Sequence, residues 1–111
     1  MKRGDLVTVA LPGSYGKPRP ALVVQSEGLF AVDSVLVAII SSHQIDAPLY
    51  RLPLAPSSKN GLREPSDVLA EKLFTIPRVK IGPIIGHASD EEMLALNRML
   101  AFVLGLSEIE R

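Results

Sequence analysis

The 111-residue chain contains no cysteine, and this absence excludes disulfide bonds and metal sites built from thiolates. No basic segment followed by an apolar stretch opens the chain, so the sequence predicts no secretory signal. Apolar runs such as residues 35–40 are no longer than six residues, which is far too short to span a bilayer. From its length and these absences we expect a single domain, residues 1–111, located in the cytoplasm and without a membrane partner.

The chain also lacks a net charge, because 12 Lys and Arg are balanced by 12 Asp and Glu. The charges are unevenly distributed, however. Residues 1–86 hold ten Lys and Arg against seven Asp and Glu, whereas residues 87–111 hold two against five. The larger part is therefore mildly basic, which is compatible with a local site for an anionic ligand. It is not the strongly basic surface that is typical of a duplex-DNA binder.

Short apolar and β-branched stretches are abundant, and Gly, Pro and polar residues separate them. Such stretches predict strands, five to seven in all. The predicted strands are residues 5–11, 21–24, 34–42, 50–54, 68–76 and 79–85. Pro53 makes the fourth an edge strand, because proline cannot donate a hydrogen bond to a sheet. Short strands joined by Gly- and Pro-rich loops are typical of a small, strongly curved antiparallel sheet or barrel.

The hydrophobic period changes to that of a helix after Ser89. The sequence from Ser89 to Glu92 matches a capping box, with Ser at the N-cap and Glu at N3. Apolar residues then recur at helical spacing as far as Val103, and Gly105 is a typical helix stop. The apolar face is wider than one stripe. This width predicts contact with the sheet on one side and with a further surface, such as a second copy of the chain, on another.

Residues 16–24, with the sequence GKPRPALVV, connect a glycine-containing loop to the second predicted strand. Pro18 and Pro20 each fix their own φ, and each pushes the preceding residue towards extended geometry. Arg19 is therefore held in an extended conformation where the strand begins. A guanidinium held in this way is well suited to binding phosphate.

Several short motifs follow one another along nearly the whole chain. They are KRGD at 2–5, RPALVV at 19–24, VAIISS at 37–42, GL at 61–62 followed by Ser66, EKLFTI at 71–76 and GHASDEEM at 86–93. In this order and spacing they resemble the MazF/PemK/Kid family of toxin endoribonucleases, which share a fold with the gyrase poison CcdB. The resemblance implies a mainly β fold with a C-terminal α-helix, in which the strands form the small SH3-like curved antiparallel barrel of CcdB/PemK-like plasmid maintenance toxins.

The resemblance also implies an activity and two partners. We expect sequence-selective cleavage of single-stranded RNA, with no cofactor and no metal. The 2′-hydroxyl would attack the adjacent phosphorus and leave a 2′,3′-cyclic phosphate and a 5′-hydroxyl. The family further implies a homodimer, and a cognate antitoxin protein that blocks the site with an extended acidic segment.

Two residues stand at positions that match the family's catalytic residues. By the resemblance, Arg19 is the principal one, and its physical role would be bidentate stabilisation of charge on the phosphate, since a guanidinium scarcely deprotonates. Ser41 stands where the family usually has Thr or Ser, and its hydroxyl would bind the scissile phosphate. The predicted substrate-binding residues are Ser14, Tyr15, Lys17, Ser42, His43, Glu71 and Lys72.

Residues 71–76 depart from the family pattern, which is EQIRTI in many relatives. Lys72 replaces Gln and adds a charge that attracts phosphate, whereas Phe74 replaces Arg and adds a stacking surface. Both changes should alter base recognition. Glu71 is retained, and three roles stay open for it: accepting a hydrogen bond from a base, orienting Arg19, or forming a cross-strand ion pair.

Two other functions stay open at this point. A CcdB-like non-enzymatic poison would bind DNA gyrase through the end of the helix, but the tail at 107–111, SEIER, lacks the aromatic ending expected of that branch. A cleavage-deficient RNA-binding module would bind RNA without giving products. The presence of Arg19 and Ser41 at the catalytic positions favours the endoribonuclease.

Overall fold

The computed structural model describes residues 1–11, 17–106 and 108, and this part of the chain folds into one sheet and one long helix. The elements are β1 Asp5–Val9, β2 Arg19–Val23, β3 Ser34–Ser41, β4 Arg51–Leu54, β5 Ser66–Pro77, β6 Ile81–His87 and α1 Asp90–Val103, with short 3₁₀ turns at Glu27–Leu29 and Arg78–Lys80. Each predicted strand is present, and its ends lie within two residues of the predicted ones.

The six strands form a single antiparallel sheet in the order β4-β5-β3-β2-β1-β6. The predicted mainly β fold with a C-terminal helix is confirmed. The sheet is curved but not closed, since β4 and β6 are its two edges in the described part of the chain. Register irregularities interrupt the pairing of β1 with β6 and of β3 with β5. Such bulges bend a strand and increase its twist, which contributes to the curvature.

Apolar side chains are buried on both faces of the central strands. Leu6 and Leu22 lie opposite each other on the face that α1 covers, whereas the neighbouring pair Val7 and Ala21 lies on the other face, in a second apolar cluster. Successive residues of a strand point to opposite faces, so a strand that is buried on both sides reads as a continuous apolar run. This explains why the central strands have little polar alternation.

The helix begins with the predicted capping box. The Ser89 hydroxyl accepts a hydrogen bond from the Glu92 backbone N–H at 3.1 Å, and the Glu92 carboxylate accepts one from the Ser89 N–H at 2.8 Å. Gly105 follows the helix end with a φ of 66°, as a helix stop requires. No helix in the described residues is long and apolar enough to cross a membrane.

Candidate functional site

A groove with a volume of about 1020 Å³ lies where the beginning of β2 meets the end of β3. Residues 42–43 and 61–64 and Ser66 form further parts of its wall, and Thr8, Leu11 and Ile85 complete the lining. The groove therefore joins segments that are far apart in the sequence.

Arg19 and Ser41 both line this groove. The register of β2 and β3 pairs Ala21 with Ile39, and Arg19 lies two residues before Ala21 whereas Ser41 lies two residues after Ile39. Because the strands are antiparallel, both residues stand at the same end of the sheet. Side chains two residues apart share a face, so Arg19 and Ser41 share one as well. The structure thus brings the two predicted catalytic residues together, and their catalytic roles stay predictions.

Arg19 is exposed at the first position of β2. Within the described residues its guanidinium has no ion pair and no hydrogen bond. All five of its N–H donors are therefore available to a ligand. The guanidinium is presented from a fixed backbone, because the residue pairs with Val9 of β1 and is flanked by Pro18 and Pro20.

The Ser41 hydroxyl has one defined partner. Its oxygen accepts a hydrogen bond from the backbone N–H of His43 at 3.1 Å. This local turn fixes the oxygen at the end of β3 and leaves the hydroxyl proton to be donated. Ser42 and His43 also line the groove, and their predicted contacts with the substrate stay predictions.

A buried carboxylate holds the segment that follows Ser41. Asp67 is 1% exposed and pairs with Ser41 across β3 and β5. Its side chain accepts hydrogen bonds from the Ile45 N–H at 3.0 Å and from the Gln44 amide at 3.2 Å. The same amide group donates to the Ser66 carbonyl at 3.1 Å. These bonds fix the course of the chain at the groove, and no motif in the sequence predicted them.

The wall formed by residues 61–64 was also missed, although it contributes Arg63 and Glu64 to the groove. The buried side chain of Asn60 holds this wall, because it accepts hydrogen bonds from the backbone N–H groups of Ser57 at 3.0 Å and Leu62 at 2.9 Å. The motif GL at 61–62 was the only signal in the sequence. It marked the segment but not the charged residues behind it.

Glu71 and Lys72 do not line the groove. The Glu71 carboxylate accepts hydrogen bonds from the Arg51 guanidinium at 2.6 and 2.8 Å, so the cross-strand ion pair is the role that the structure contains. Between Leu69 and Leu73 the register of β5 against β3 shifts, which places Glu71 and Lys72 at a bulge. Their predicted contacts with substrate stay predictions.

The remaining predicted substrate-binding residues precede β2. Lys17 is exposed and is not among the residues that line the groove, and Ser14 and Tyr15 lie outside the described residues. Within the described ranges, no three side chains of His, Asp or Glu come together in a way that could hold a metal ion.

Comparison with known proteins gives the family. A model of PemK-like, MazF-like toxins of type II toxin–antitoxin systems matches residues 2–104. The chain is 35% identical over 108 residues to a protein named "Probable endoribonuclease MazF" from Mycolicibacterium smegmatis, and the match covers 96% of this chain and 99% of that protein.

Solved structures give the same fold. An endoribonuclease in complex with its cognate antitoxin, from Mycobacterial species, superposes with a TM-score of 0.81 at 21% identity and covers 96% of both chains. The Mycobacterium tuberculosis toxin MazF-mt6 superposes with a TM-score of 0.78 at 24% identity, covering 91% of this chain and 96% of that one. With a family model that spans nearly the whole sequence, these matches show that the chain belongs to the PemK-like, MazF-like toxins of type II toxin–antitoxin systems.

Proposed function

We propose that this toxin is a metal-independent endoribonuclease that cleaves single-stranded RNA at selected sequences. The observation that carries the proposal is the pairing of an unengaged guanidinium, Arg19, with a fixed hydroxyl, Ser41, in one groove. The similarity to a MazF endoribonuclease along nearly the whole chain supports the same activity. A groove with these two groups suits a phosphodiester better than an uncharged ligand.

The reaction we propose is an in-line transfer within the RNA. The 2′-oxygen forms a bond to the adjacent phosphorus, and the bond from phosphorus to the 5′-oxygen of the next nucleotide breaks. The proton of the 2′-hydroxyl passes to water, and the leaving 5′-oxygen takes up a proton from water. The products are a 2′,3′-cyclic phosphate and a 5′-hydroxyl, so atoms and electrons balance without a co-reactant.

Arg19 and Ser41 act on the charge that develops at phosphorus. The guanidinium of Arg19 donates two parallel hydrogen bonds to the non-bridging oxygens, and it stays protonated throughout. The Ser41 hydroxyl, whose oxygen already accepts from the His43 N–H, donates its proton to the same phosphate. Donors that are fixed before the reaction stabilise the transition state more than the ground state.

The other predicted residues bind the RNA on either side of this centre. Ser42 and His43 line the groove and contact the nucleotides next to the cut. Lys17 lies two residues before Arg19 in the sequence, and Ser14 and Tyr15 precede Lys17. Glu71 and Lys72 lie beyond the groove lining, so they would contact only RNA that extends past it. Of the two, the exposed Lys72 is better placed to attract a phosphate, because Glu71 pairs with Arg51.

Two protein partners belong to the proposal. A homodimer would cover the apolar side chains that α1 and the following turn leave exposed, among them Leu94, Phe102 and Leu104. A cognate antitoxin would inhibit the enzyme by laying an extended acidic segment near Arg19, since carboxylates bind a guanidinium as phosphates do. One similar structure was solved with its cognate antitoxin, which supports such a partner. We place the enzyme in the cytoplasm, where its RNA substrates are.

The test is incubation of the purified protein with long unstructured RNA in EDTA, followed by mapping of the product ends. We expect discrete cuts that carry 2′,3′-cyclic phosphate and 5′-hydroxyl ends. RNA that is bound but stays intact, across substrates that cover all short sequences, would instead indicate an RNA-binding module. RNA that is neither bound nor cut would instead indicate that the toxin acts on a protein target such as gyrase.

A further inference from the structure

A second arginine, Arg63, lies on another wall of the groove and has no role in the proposed reaction. Arg63 is exposed and belongs to the segment at 61–64, whereas Arg19 belongs to β2. The groove lining contains these two guanidinium groups and one carboxylate, that of Glu64. The lining therefore carries a net positive charge from residues on two separate elements.

The backbone of Arg63 is held in place from the residues before it. Leu62 is buried, and its N–H donates to the Asn60 side chain at 2.9 Å. Gly61 has a φ of 70° and lies so close to β6 that a Cβ there would overlap the Ile85 carbonyl. Arg63 is thus anchored at its base by a packed turn, in the manner of a residue that presents its side chain to a ligand.

The side chain of Arg63 is unengaged at its other end. Among the described residues, its guanidinium forms no ion pair and no hydrogen bond, not even with the adjacent Glu64. The guanidinium of Arg51, by contrast, is occupied by Glu71. Arg63 shares with Arg19 the combination of a fixed backbone, a place in the groove and unused donors.

The groove is larger than one phosphodiester needs. Its volume of about 1020 Å³ is at the upper end of the range for pockets that enclose a whole drug-sized ligand. RNA that occupies it therefore brings more than one phosphate inside. Arg19 is assigned to the scissile phosphate. Among the described residues that line the groove, Arg63 is then the arginine or lysine left to bind a neighbouring phosphate.

We propose that Arg63 binds the phosphate of a nucleotide next to the cut, and so sets how tightly the RNA is held without taking part in bond cleavage. This inference rests on the proposed function, because single-stranded RNA is the ligand. It separates two roles within one groove: Arg19 determines the rate of the chemical step, and Arg63 contributes to binding.

The experiment measures binding and cleavage for the whole 111-residue chain. The binding probe is a fluorescein-labelled 2′-O-methyl RNA of randomised sequence, which lacks the attacking hydroxyl and cannot be cut by the proposed mechanism. The variants are Arg63→Ala, Arg63→Lys and the control Lys80→Ala. Lys80 is equally exposed but lies near the opposite end of β3, where Ser34 pairs with Pro77. Melting curves establish that each variant is folded.

We expect Arg63→Ala to weaken binding by about 10-fold at low salt, the usual effect of losing a charge-assisted hydrogen bond. The slope of log affinity against log salt should fall by about 0.7, the value for one phosphate contact on a single strand. Arg63→Lys should keep the slope and part of the affinity. In cleavage of natural RNA, Arg63→Ala should raise KM and leave kcat within about twofold of the wild-type value.

Other results would overturn the inference. If Arg63→Ala binds and cleaves like the wild type while the wild type cuts RNA, Arg63 is not a phosphate ligand, although the proposed function stands. If Arg63→Ala and Lys80→Ala weaken binding equally, the loss reflects the overall charge of the protein and not a specific phosphate site at Arg63. If the wild type neither binds nor cuts RNA, the inference and the proposed function both fail.

Discussion

Arg19 and Ser41 have complementary hydrogen-bonding states in the free protein. Arg19 has only donors, and in the described residues none of them is engaged. Ser41 has both a donor and acceptors, but the His43 N–H already occupies its oxygen at 3.1 Å. Both side chains therefore offer N–H or O–H donors to the groove. Such a site is suited to stabilising negative charge on a phosphate.

This arrangement predicts the effect of removing the Ser41 hydroxyl. Ser41→Ala should lower kcat about 100-fold, in the range found when one donor to a developing oxyanion is lost, and should change KM little. Ser41→Thr keeps the hydroxyl and should retain most of the activity. Ser34→Ala, at the other end of β3, is the matched control. Steady-state cleavage of an RNA with a mapped cut measures all three, and a Ser41→Ala enzyme as fast as the control would remove Ser41 from the mechanism.

The site residues that belong to or follow a motif could be predicted from the sequence. Those whose role depends on contacts with residues far away in the sequence could not. Arg19, Ser41 and Ser42 belong to motifs, His43 follows one directly, and all four line the groove. Asp67 was missed, because the sequence does not tell which donors a single carboxylate in an apolar strand will meet. For Glu71 the sequence left three roles open, and its partner Arg51 lies twenty residues away.

Among the elements, one edge of the sheet was predicted, whereas the ends of β2, β5 and β6 differ from the predicted ones by one or two residues. Pro53 predicted an edge strand, and β4 is indeed an edge of the sheet. β5 begins at Ser66, two residues earlier than predicted. Ser66 and Asp67 are polar yet buried, because the strand pairs with β3 on one side and β4 on the other. From hydrophobic periodicity alone, buried polar residues such as these are predicted to lie outside the strand.

The turn at residues 57–62 depends on a glycine that no other residue can replace without strain. Gly61→Ala should lower the free energy of unfolding by at least about 1–2 kcal/mol, the cost of a left-handed conformation for a residue with a Cβ. Overlap with the Ile85 carbonyl adds to this cost. Gly28→Ala is the control, since its Cβ would meet only the Ser26 hydroxyl at an ordinary 3.4 Å. Urea unfolding compares them; equal stability of the two variants would contradict the close packing of this turn against β6.

In the molecule as a whole, the two ends of β3 lie at different surfaces. Ser41 ends the strand at the groove, whereas Ser34 begins it beside Pro77, and the neighbouring Phe30 and Val79 are highly exposed. A third surface is the outer side of α1, where Phe102 is 52% exposed. The sequence predicted this third surface from the width of the helical apolar face.

The proposed homodimer predicts which apolar residue matters for association. The wild type should sediment as a dimer at micromolar concentration, and Phe102→Glu should shift it to the monomer, because a carboxylate cannot be buried in an apolar interface without cost. Phe30→Glu, which changes an even more exposed phenylalanine in the segment between β2 and β3, should leave the dimer intact. A wild-type protein that sediments only as a single chain would contradict the dimer.

In the proposed mechanism, the guanidinium of Arg19 at the first position of β2 stabilises the transition state of RNA cleavage, and the single-turnover rate of Arg19→Ala tests this role. The assay uses an RNA with a mapped cut, in EDTA, with Lys80→Ala as a control for the loss of one positive charge. We expect Arg19→Ala to lose about 100-fold or more in rate with an unchanged melting curve, Arg19→Lys to recover only part of the rate, and Lys80→Ala to stay within about twofold of the wild type. An Arg19→Ala enzyme that cuts the RNA at the wild-type rate would exclude this role for Arg19.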